Sequence, residues 1–405
     1  MTLKFCRICK GRLKQIIDLK KICLVGDFQR SKKKQKKYKI SLNFCLVCKH
    51  VQISEILKSD LLFKNYLWET GVSKTNLKIL DHYIIELKKL GFCKNSRLLE
   101  IASNDGSLVN KVYGKFKNIN VGVDPAKNYI KKYEKKIKFF NNYFDKKLSK
   151  IIKKKFNDFD IIVARNVIAH VAKPHEIFSG FNNLLKKNGI AIIEVPHLLN
   201  IIKDNQYDNI FHEHIGFHSL KSISDLCKMN DLKIMKAERI DSQGGSIRCF
   251  ICKKDSSLKE NTSYKSIFKL EKKLGLFKKN VLKNFRKKIN DHRMSLIKLL
   301  KKIKNENKKI SIYGASGKGQ ALMQYCNINL KIIDQVFDKS KLKIGKFTPG
   351  TGIKIKDPKH ISNKNIDYLL ILAWNIKDEI IKQEKFFKKN SGKFIIPFPK
   401  PKIMN

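Results

Sequence analysis

A strand–turn–helix unit in the first half of this chain constrains its fold most strongly. Residues 98–101 are a short apolar run that predicts a buried strand, and the tight turn at residues 104–107 leads into a helix. Residues 121–124 predict a second strand that ends in an acid, and residues 160–167 and 189–196 predict a third and a fourth. Alternating strands and helices build a parallel sheet covered on both faces, so the sequence predicts a Rossmann-like α/β domain.

The same pattern starts again near the end of the chain and predicts a second, smaller Rossmann-like domain. Residues 309–313 predict a strand that leads into the glycine-rich loop 314–319 and a helix at 320–326. Strands at 332–338, again ending in an acid, and at 366–374 complete the unit. A glycine loop that opens a helix exposes backbone amides to a phosphate. Tight packing of the helix on the strand is the alternative interpretation of these glycines.

Polar side chains at the ends of the first domain's strands form a candidate cofactor site. Asp124 ends the second strand, where an acid holds ribose hydroxyls, and Glu100 in the first strand suits an amino-bearing ligand group. The turn contains the single glycine Gly106 rather than the G-x-G-x-x-G of a dinucleotide-binding loop. This departure argues against a dinucleotide and is compatible with S-adenosylmethionine, which carries no phosphate.

Two C-x-x-C pairs near the N-terminus predict a metal site. Cys6 and Cys9 form one pair, and Cys45 and Cys48 form the other. Four thiolates presented by two tight turns complete a tetrahedral zinc shell, so we expect a structural Zn²⁺ rather than a catalytic one. Two unrelated cysteine pairs are the alternative. Metal-binding thiols suit a reducing compartment, and we therefore expect a cytoplasmic protein.

Histidines cluster at residues 209–218, just after the fourth predicted strand. This segment, N-I-F-H-E-H-I-G-F-H, includes His212, Glu213 and His214 in a chain with ten histidines. Histidine titrates near neutrality, so such a cluster suits proton transfer. The alternative is a polar loop that caps a helix starting near Ser219.

Further polar and aromatic residues are expected to reach the same cleft. Ligands of parallel sheets bind at the carboxyl ends of the strands. Arg165, Asn166 and His170 follow the third predicted strand, so we expect them to converge there with the histidine segment. Tyr66, at the junction between the cysteine pairs and the first helix, is a further candidate for the cleft wall.

The net charge of +52 is the most unusual global property of the chain. A polyanionic partner would explain it, but only nine of the 87 cationic residues are Arg, which nucleic-acid-binding proteins favour. We interpret the dispersed Lys as compositional drift and expect no specific nucleic acid.

The sequence has no apolar run of about 18 residues, so we also expect no membrane span. The expected oligomeric state is a monomer or weak homodimer.

The motifs divide the chain into four predicted parts. Residues 1–72 hold the cysteine pairs, residues 73–252 form the first Rossmann-like domain, and residues 310–405 form the second. Residues 253–309 are Lys-rich, with apolar residues at helical spacing. They predict a connecting pair of helices with one buried face.

In their order along the chain, these motifs resemble the sugar C-methyltransferase family. The matching segments are the two C-x-x-C pairs, L-E-I-A-S-N-D-G, V-G-V-D-P, R-N-V-I-A-H, E-V-P, H-E-H, G-G-S-I-R, Y-G-A-S-G-K-G, P-G-T-G-I-K-I and A-W-N. The resemblance implies a zinc module, an S-adenosylmethionine domain and a C-terminal Rossmann-like domain. It also implies methylation of a carbon next to the keto group of a nucleotide-linked deoxysugar.

The resemblance and the strand-end positions together imply a role for each candidate residue. His214 would be the base that removes the acidic sugar proton, and Glu213 and His170 would orient the substrate or support that base. The expected S-adenosylmethionine contacts are Glu100, Asn104, Gly106, Asp124, Pro125 and Arg165. The expected substrate contacts are Tyr66, Asn166, Gly314, Ser316, Lys318 and Gly319.

Phe211 departs from the family pattern, in which Tyr commonly precedes H-E-H. A phenol donates a hydrogen bond to a developing enolate oxygen and a phenyl ring does not. The loss costs about 3 kcal/mol of transition-state stabilisation if nothing replaces the donor. Three explanations are open: His212 or Tyr66 replaces the donor, the substrate differs from the usual 4-keto sugar, or the chain is a catalytically inactive binding module.

Two further functions are open from the sequence. The first is an O- or N-methyltransferase acting on a sugar or small molecule, in which the base would deprotonate a hydroxyl or an amine. The second is a zinc-containing nucleic-acid-binding protein, which the charge of +52 motivates. The two Rossmann-like patterns and the scarcity of Arg argue against the second.

Overall fold

The computed structural model describes residues 3–361 and 366–404 and contains three β-sheets with helices packed against them. It confirms the predicted α/β class with two Rossmann-like domains. The strands are β1 (Leu13–Cys23), β2 (Lys37–Cys45), β3 (Val51–Ile53), β4 (Arg97–Ile101), β5 (Ile119–Val123), β6 (Lys138–Phe140), β7 (Phe159–Arg165), β8 (Leu185–Pro196), β9 (Gly216–Phe217), β10 (Leu232–Ile240), β11 (Ser246–Lys253), β12 (Ile310–Tyr313), β13 (Gln335–Phe337), β14 (Ile355–Lys356), β15 (Tyr368–Ile371), β16 (Lys393–Ile396) and β17 (Lys402–Met404). The α-helices are α1 (Ser59–Phe63), α2 (Lys74–Lys89), α3 (Ser107–Phe116), α4 (Lys146–Phe156), α5 (Pro174–Leu184), α6 (Leu198–Lys203), α7 (Leu220–Lys228), α8 (Tyr264–Lys273), α9 (Lys279–Asn305), α10 (Gly317–Tyr325), α11 (Lys377–Gln383) and α12 (Lys385–Lys389).

The central sheet has seven strands in the order β10-β11-β8-β7-β4-β5-β6. β4 pairs in parallel with β5 on one side and β7 on the other, while β10 and β11 form an antiparallel edge. Leu98 and Leu99 of β4 are both fully buried although they point to opposite faces, because helices cover both sides of a parallel sheet. The parallel strands end at one edge, and the loops that follow them form one wall of the site described below.

The C-terminal sheet has six strands in the order β14-β13-β12-β15-β16-β17. Its strand pairs are parallel except for β16 with β17. The glycine loop follows the central strand β12, and α10 begins at Gly317, three residues before the predicted start. This loop borders the same cavity as the carboxyl edge of the central sheet.

The N-terminal sheet recruits a strand from the middle of the chain. Its order is β1-β2-β3-β9, and β9 lies within the histidine segment, near its C-terminal end. Val51 and Gln52 of β3 pair with Phe217 and Gly216 of β9. The module predicted for residues 1–72 is therefore completed by residues 216–217, and its sheet holds one end of the histidine segment.

The connecting helices α8 and α9 form as predicted. α9 buries a stripe that includes Leu282 and Phe285, leaves many of its Lys exposed, and packs on β1 and β12. The buried Glu271 of α8 accepts hydrogen bonds from the backbone N–H of Leu220 at 2.6 Å and from Nε2 of His197 at 2.8 Å. The connector is therefore in contact with all three sheet-containing parts of the molecule.

Among residues 3–361 and 366–404, no helix has the length and the apolar composition needed to cross a bilayer. The cytoplasmic location, the monomer or weak homodimer, and the four domain boundaries stay predictions.

Candidate active site

A cavity of about 630 Å³ lies where the carboxyl edges of the two parallel sheets meet the N-terminal module. Phe28 from the loop after β1 contributes to it alongside residues of both Rossmann-like domains. Of the residues predicted to be catalytic or to bind cofactor or substrate, Gly106 and Gly319 lie outside the lining of this cavity. The predicted site residues that line it are Tyr66, Glu100, Asn104, Asp124, Pro125, Arg165, Asn166, His170, Phe211, Glu213, His214, Gly314, Ser316 and Lys318.

The imidazole of His214 is presented to the cavity as a neutral base. Its Nδ1 lies 2.8 Å from the carbonyl oxygen of Asn209, so Nδ1 carries the proton and donates it while Nε2 keeps its lone pair. Burial, followed by the proximity of His170 and the charge of Lys318, holds the pKa of His214 well below its usual range. The ring centroid lies 4.1 Å from that of Phe211 and 4.8 Å from that of His170, and these contacts fix the orientation of the base.

Glu213 is a buried carboxyl held by Tyr66. The Tyr66 hydroxyl donates a hydrogen bond to Oε2 of Glu213 at 3.2 Å. Burial raises the pKa of Glu213 to about 7, although the Tyr66 hydrogen bond and the charge of Lys343 oppose that rise. Glu213 therefore exchanges a proton near neutrality, which suits a group that supports a neighbouring base.

His170 forms part of the wall beside the base. It ends a short 3₁₀ turn, Ile168–His170, that follows β7. Its ring stands edge-on to those of His214 and Phe63, with the Phe63 centroid at 5.6 Å. Burial lowers the pKa of His170 to about 4, so the ring is neutral at pH 7 and adds no charge next to His214.

His212 points away from the cavity, although it lies between two residues that line it. Its Nε2 lies 3.2 Å from the carbonyl oxygen of Lys39, and its ring stands edge-on to Tyr38 at 5.9 Å. The proposal that His212 replaces the phenol missing at Phe211 is therefore not supported by its position. Tyr66 does line the cavity, but its hydroxyl is engaged by the carboxyl described above.

The turn after β4 is organised by Asp124. Its carboxylate accepts hydrogen bonds from the backbone N–H groups of Asn104 and Ala126, each at 2.8 Å. The Asn104 side chain in turn donates to the carbonyl of Trp68 at 2.9 Å and accepts from the N–H of Thr70 at 3.1 Å. These contacts join the turn to the segment before α2 and define one end of the cavity.

Glu100 is a buried carboxyl in the wall of the cavity. Among the described residues, its Oε2 has no hydrogen-bond partner, and burial raises the pKa of Glu100 to about 8 against the opposing charge of Arg165. Arg165 extends from the end of β7, with its guanidinium 5.5 Å from the ring centroid of Tyr83. A carboxyl without a partner fits a ligand that brings an amino or hydroxyl donor, and the amino-acid and ribose groups of S-adenosylmethionine are such donors.

Gly106 and Gly319, which lie outside the lining, are needed for the backbone conformation and for close packing. Gly106 has φ of +73°, a left-handed conformation that favours glycine, and a Cβ there would lie 3.1 Å from the ring of Tyr133. A Cβ at Gly319 would lie 2.7 Å from Cβ of Leu372. Gly319 therefore permits close helix–strand packing, which is the alternative weighed for the glycine loop, and direct ligand contacts by these two residues stay predictions.

Asp338, which directly follows β13, accepts a hydrogen bond from the backbone of the glycine loop. Oδ2 of Asp338 accepts a hydrogen bond from the N–H of Ala315 at 2.7 Å. Ser316 caps α10, its hydroxyl oxygen accepting from the N–H of Gly319 at 3.1 Å. This arrangement places the first turn of α10 at the cavity, where its N–H groups and dipole favour a negatively charged ligand group.

Lys318 reaches from α10 towards the central domain. Its Nζ donates to the carbonyl of Gln243 at 2.7 Å and lies 5.7 Å from the ring centroid of Trp374. Burial lowers the pKa of Lys318 to about 8, although the charge of Asp208 opposes that change. The side chain is thus a largely protonated cation inside the cavity at neutral pH.

Several polar residues of the lining were missed because they lie outside the recognised motifs. Lys343 stands 3.5 Å from Asp338, and Glu379 of α11 accepts a hydrogen bond from the Thr75 hydroxyl at 2.7 Å. Gln243 lies one residue before G-G-S-I-R, and that motif is the signal that could have indicated it. The others come from loops and helix ends whose positions depend on the assembled fold.

The four predicted metal ligands come together in the N-terminal module. Their Sγ atoms all lie within 4.8 Å of one another, with Cys6 and Cys48 at 3.6 Å and Cys9 and Cys45 at 3.4 Å. Tetrahedral Zn²⁺ with Zn–S bonds of about 2.3 Å separates its sulfurs by about 3.8 Å. Backbone N–H groups also donate to two of the sulfurs at 3.4 Å, so the cysteine set fits a structural zinc ion.

Three family matches follow one another along the chain. Residues 6–63 match a zinc binding domain, residues 78–237 match a methyltransferase domain, and residues 241–399 match the C-methyltransferase C-terminal domain. This order agrees with the order of motifs in the sequence. The third match includes β11, which belongs to the central sheet in the structure.

One curated relative is similar over most of the chain. C-methyltransferase NovU of Streptomyces niveus is 28% identical over 366 residues, which are 89% of this chain and 86% of NovU. Similar solved structures include a SAM-dependent methyltransferase of Anabaena variabilis (12% identity, TM-score 0.35, 49% of this chain and 100% of that chain). Another is the magnesium protoporphyrin IX methyltransferase of Synechocystis with bound SAH (12% identity, TM-score 0.36, 46% of this chain and 90% of that chain).

The Rossmann-like central domain, with its acid-anchored turn after β4, and the methyltransferase match define an S-adenosylmethionine-dependent methyltransferase. Within that class, the matches to the zinc binding domain and the C-methyltransferase C-terminal domain, together with the similarity to NovU, support a C-methyltransferase. Its cofactors are accordingly S-adenosylmethionine and Zn²⁺. The resemblance inferred from the sequence motifs is confirmed at this level.

Proposed function

We propose that this enzyme methylates the carbon next to the keto group of a nucleotide-linked deoxysugar, with His214 as the base that forms an enolate. Carbon becomes a nucleophile only when a neighbouring carbonyl makes its proton removable, so this reaction requires a base in its neutral form. The observation that carries the proposal is the free Nε2 of neutral His214, which faces a cavity shared by the cofactor-domain residues and the glycine loop.

Proton transfer in this proposal uses residues of the histidine segment. Nε2 of His214 accepts the proton, the C–H electron pair forms a carbon–carbon double bond, and the carbonyl π pair moves to oxygen. The Asn209 carbonyl continues to accept from Nδ1 and keeps the ring in place. Glu213, whose pKa lies near 7, and the Tyr66 hydroxyl bonded to it support the charge that His214 acquires.

The end of the cavity beside β4 and β5 is the proposed position of the methyl donor. Glu100 would pair with an amino or hydroxyl group, and Asn104 and Asp124 hold the turn against which the ligand rests. Pro125 and Arg165 extend the same wall. Held there by these residues, S-adenosylmethionine would supply an electrophilic methyl group for the enolate carbon, and the electron pair of its carbon–sulfur bond would leave on the sulfur.

The opposite end of the cavity is the proposed position of the nucleotide diphosphate. Ser316 and the first turn of α10 offer backbone N–H groups to an anion, while Gly314 lines the same wall with its own N–H donated to the Phe337 carbonyl at 2.7 Å. Asn166 also lines the cavity. A deoxysugar linked to that diphosphate would then place its keto group beside the histidine segment. This orientation follows from the two sets of residues belonging to different sheets that border one cavity.

The test is an activity screen of the full-length, zinc-loaded protein. Methyl-labelled S-adenosylmethionine is incubated with a panel of nucleotide-linked keto-deoxysugars and with the same sugars reduced to alcohols. We expect label in keto sugars and none in the alcohols. Label in the alcohols would show O-methylation, and the absence of label in every keto sugar would overturn the proposed substrate class.

A further inference from the structure

We propose that Lys318 places its ammonium group on the substrate's keto oxygen and stabilises the enolate in place of the phenol that Phe211 lacks. This inference rests on the proposed carbon methylation and assigns its missing electrostatic partner. It also assigns to the C-terminal domain a direct part in the chemistry, beyond holding the nucleotide.

The histidine segment itself offers an enolate oxygen no permanently protonated donor, because its one carboxyl, Glu213, titrates near neutrality. The ring of Phe211 packs on the base and carries no polar atom. His212 faces Lys39 and Tyr38 outside the cavity. Tyr66 has one hydroxyl proton, which it donates to the adjacent carboxyl. An enolate formed by proton loss to His214 would therefore develop its charge without a permanently protonated donor from this segment.

Lys318 brings a cation to the base from the other domain. The contacts of the glycine loop place it there: a Cβ at Gly317 would lie 3.6 Å from two ring atoms of Phe211. The charge of Lys318 is close enough to lower the pKa of His214. The cation and the neutral Nε2 of His214 thus face one cavity, as proton removal next to a carbonyl requires.

The ammonium group has hydrogen-bonding capacity left for a ligand. An ammonium carries three donors, and within the described residues Nζ of Lys318 uses one, in the bond to the Gln243 carbonyl. The facing carboxylate, Asp208, accepts from Nε1 of Trp374 at 2.7 Å rather than from Lys318. Lys343, another lysine of the cavity lining, stands 3.5 Å from Asp338 and donates to the carbonyl of Ala315, so its ammonium group already has partners.

The electron balance of enolate formation is complete with these groups, and in the methyl transfer that follows the electron pair of the donor's carbon–sulfur bond would leave on sulfur. His214 takes the proton, the oxygen takes the π pair, and the ammonium of Lys318 pairs with that oxygen without giving up its own proton. As the new carbon–carbon bond forms, the oxygen's charge returns to the carbonyl and the ammonium is unchanged. Removal of one such preorganised donor costs about 100- to 1,000-fold in kcat.

The primary test compares Lys318→Met, Lys318→Arg and the control Lys341→Met, an exposed lysine of the same domain. With a keto sugar that the wild type methylates, we expect Lys318→Met to lose about 100-fold or more in kcat. We expect Lys318→Arg to recover part of this loss and Lys341→Met to match the wild type. A rise in KM at unchanged kcat would overturn the proposal, because it would show that Lys318 only binds the nucleotide.

Deuterium exchange separates enolate formation from methyl transfer. In D₂O without a reactive methyl donor, the wild type should exchange the hydrogen next to the carbonyl, and Lys318→Met should lose that exchange in proportion to its kcat. Exchange at the wild-type rate in Lys318→Met would overturn the proposal. Exchange in neither protein, with methyl transfer to hydroxyl groups, would instead overturn the carbon methylation on which the proposal rests.

The pH profile gives a signature that a structural lysine would not. Asp208 and His214 are the titratable groups that face Lys318, and the pKa of Lys318 is about 8. The wild-type kcat should therefore fall as pH rises through about 8, where the ammonium loses its proton. Lys318→Arg should not show this decrease, because a guanidinium stays charged. The same decrease in Lys318→Arg would contradict the assignment.

A double variant tests directly whether Lys318 performs the role of the phenol that is absent at position 211. If Lys318 does what a phenol does at position 211, Phe211→Tyr should restore part of the kcat lost in Lys318→Met. Phe211→Leu in the same background is the matched control, since it changes the ring without adding a donor. No difference between the two double variants would overturn the exchange of roles.

Discussion

At the scale of single residues, one hydrogen bond decides which nitrogen of His214 is free. The Asn209 carbonyl can only accept, so it selects the tautomer with the proton on Nδ1. Burial keeps the ring neutral because its pKa lies well below the usual range. Position and protonation state therefore agree with the role of a base at neutral pH.

Removal of this imidazole should stop the reaction without affecting cofactor binding. We expect His214→Ala to lower kcat by about 100- to 10,000-fold, the range for a positioned general base. S-adenosylmethionine affinity, measured by titration calorimetry, should stay at the wild-type value because the residues proposed to hold the cofactor lie on other loops. His82→Ala, an exposed histidine on α2, is the control. Near-normal turnover of His214→Ala would remove this residue from the mechanism.

The candidate base could be predicted from the sequence, but the directions of its neighbours could not. The H-E-H motif indicated His214 because three imidazoles and a carboxylate crowd into ten residues after a predicted strand end, and local composition carries that information. His212 has the same chemistry and an equivalent sequence setting, yet Lys39 and Tyr38 hold it outside the cavity. Contacts between residues so distant in the chain leave no local pattern.

At the scale of elements, the zinc module supports the histidine segment through one short strand pairing. β9 begins two residues after His214 and pairs with β3. β3 in turn pairs with β2, whose last residue is the zinc ligand Cys45. The zinc site therefore stabilises the sheet that holds the segment carrying the base.

Loss of the metal should therefore reduce activity as well as stability. Structural zinc sites contribute about 10 kcal/mol of apparent binding free energy, which is then lost from folding. We expect Cys45→Ser to lower zinc content, thermal midpoint and methyl transfer together, measured by metal analysis, calorimetry and label transfer. Cys93→Ser, at an exposed cysteine outside the cluster, should change none of these. A zinc-depleted protein with wild-type activity would contradict the coupling.

At this scale, elements with a clear apolar pattern could be predicted from the sequence, whereas a very short element could not. The apolar runs that became β4, β7 and β8 were identified because they are buried on both faces. The two-residue strand β9 has no run long enough to show a period, and its partner β3 lies far away in the sequence. Its assignment depends on tertiary pairing alone.

At the scale of the whole molecule, the two Rossmann-like domains are joined at the cavity by Glu379. Its carboxylate accepts hydrogen bonds from the hydroxyls of Thr75 and Ser73 at 2.7 and 2.9 Å, and from two backbone N–H groups at the start of α2. Burial alone would raise the pKa of Glu379, but these hydrogen bonds outweigh it and lower the pKa to about 2. A negative charge at a helix N-terminus is also favourable.

Glu379→Gln should weaken this contact between the domains. Because much of the group is solvent-accessible, we expect a loss of about 1 kcal/mol in the free energy of unfolding at pH 7. A carboxyl with a lowered pKa stabilises the fold above its unfolded value of about 4.3, and the benefit disappears as pH falls towards 2. The difference between wild type and variant, measured by denaturant titration, should therefore shrink below about pH 4.

The neighbouring Asp378 provides the control for this experiment. Its side chain is 83% exposed and pairs with Lys377 on the same helix. Asp378→Asn should therefore unfold like the wild type at every pH. Equal stability of Glu379→Gln and the wild type at pH 7 would contradict the contact between the domains. A stability difference that grew towards acid pH would contradict the sign derived from the lowered pKa.

The central claim is that His214 removes a proton from carbon before that carbon is methylated. The most direct measurement is NMR of the product formed in D₂O from a nucleotide-linked keto-deoxysugar and isotopically labelled S-adenosylmethionine. We predict that the labelled methyl is bonded to the ring carbon next to the keto group, and that unreacted substrate carries deuterium at that carbon with the wild type but not with His214→Ala. A labelled methyl on oxygen or nitrogen would contradict the claim.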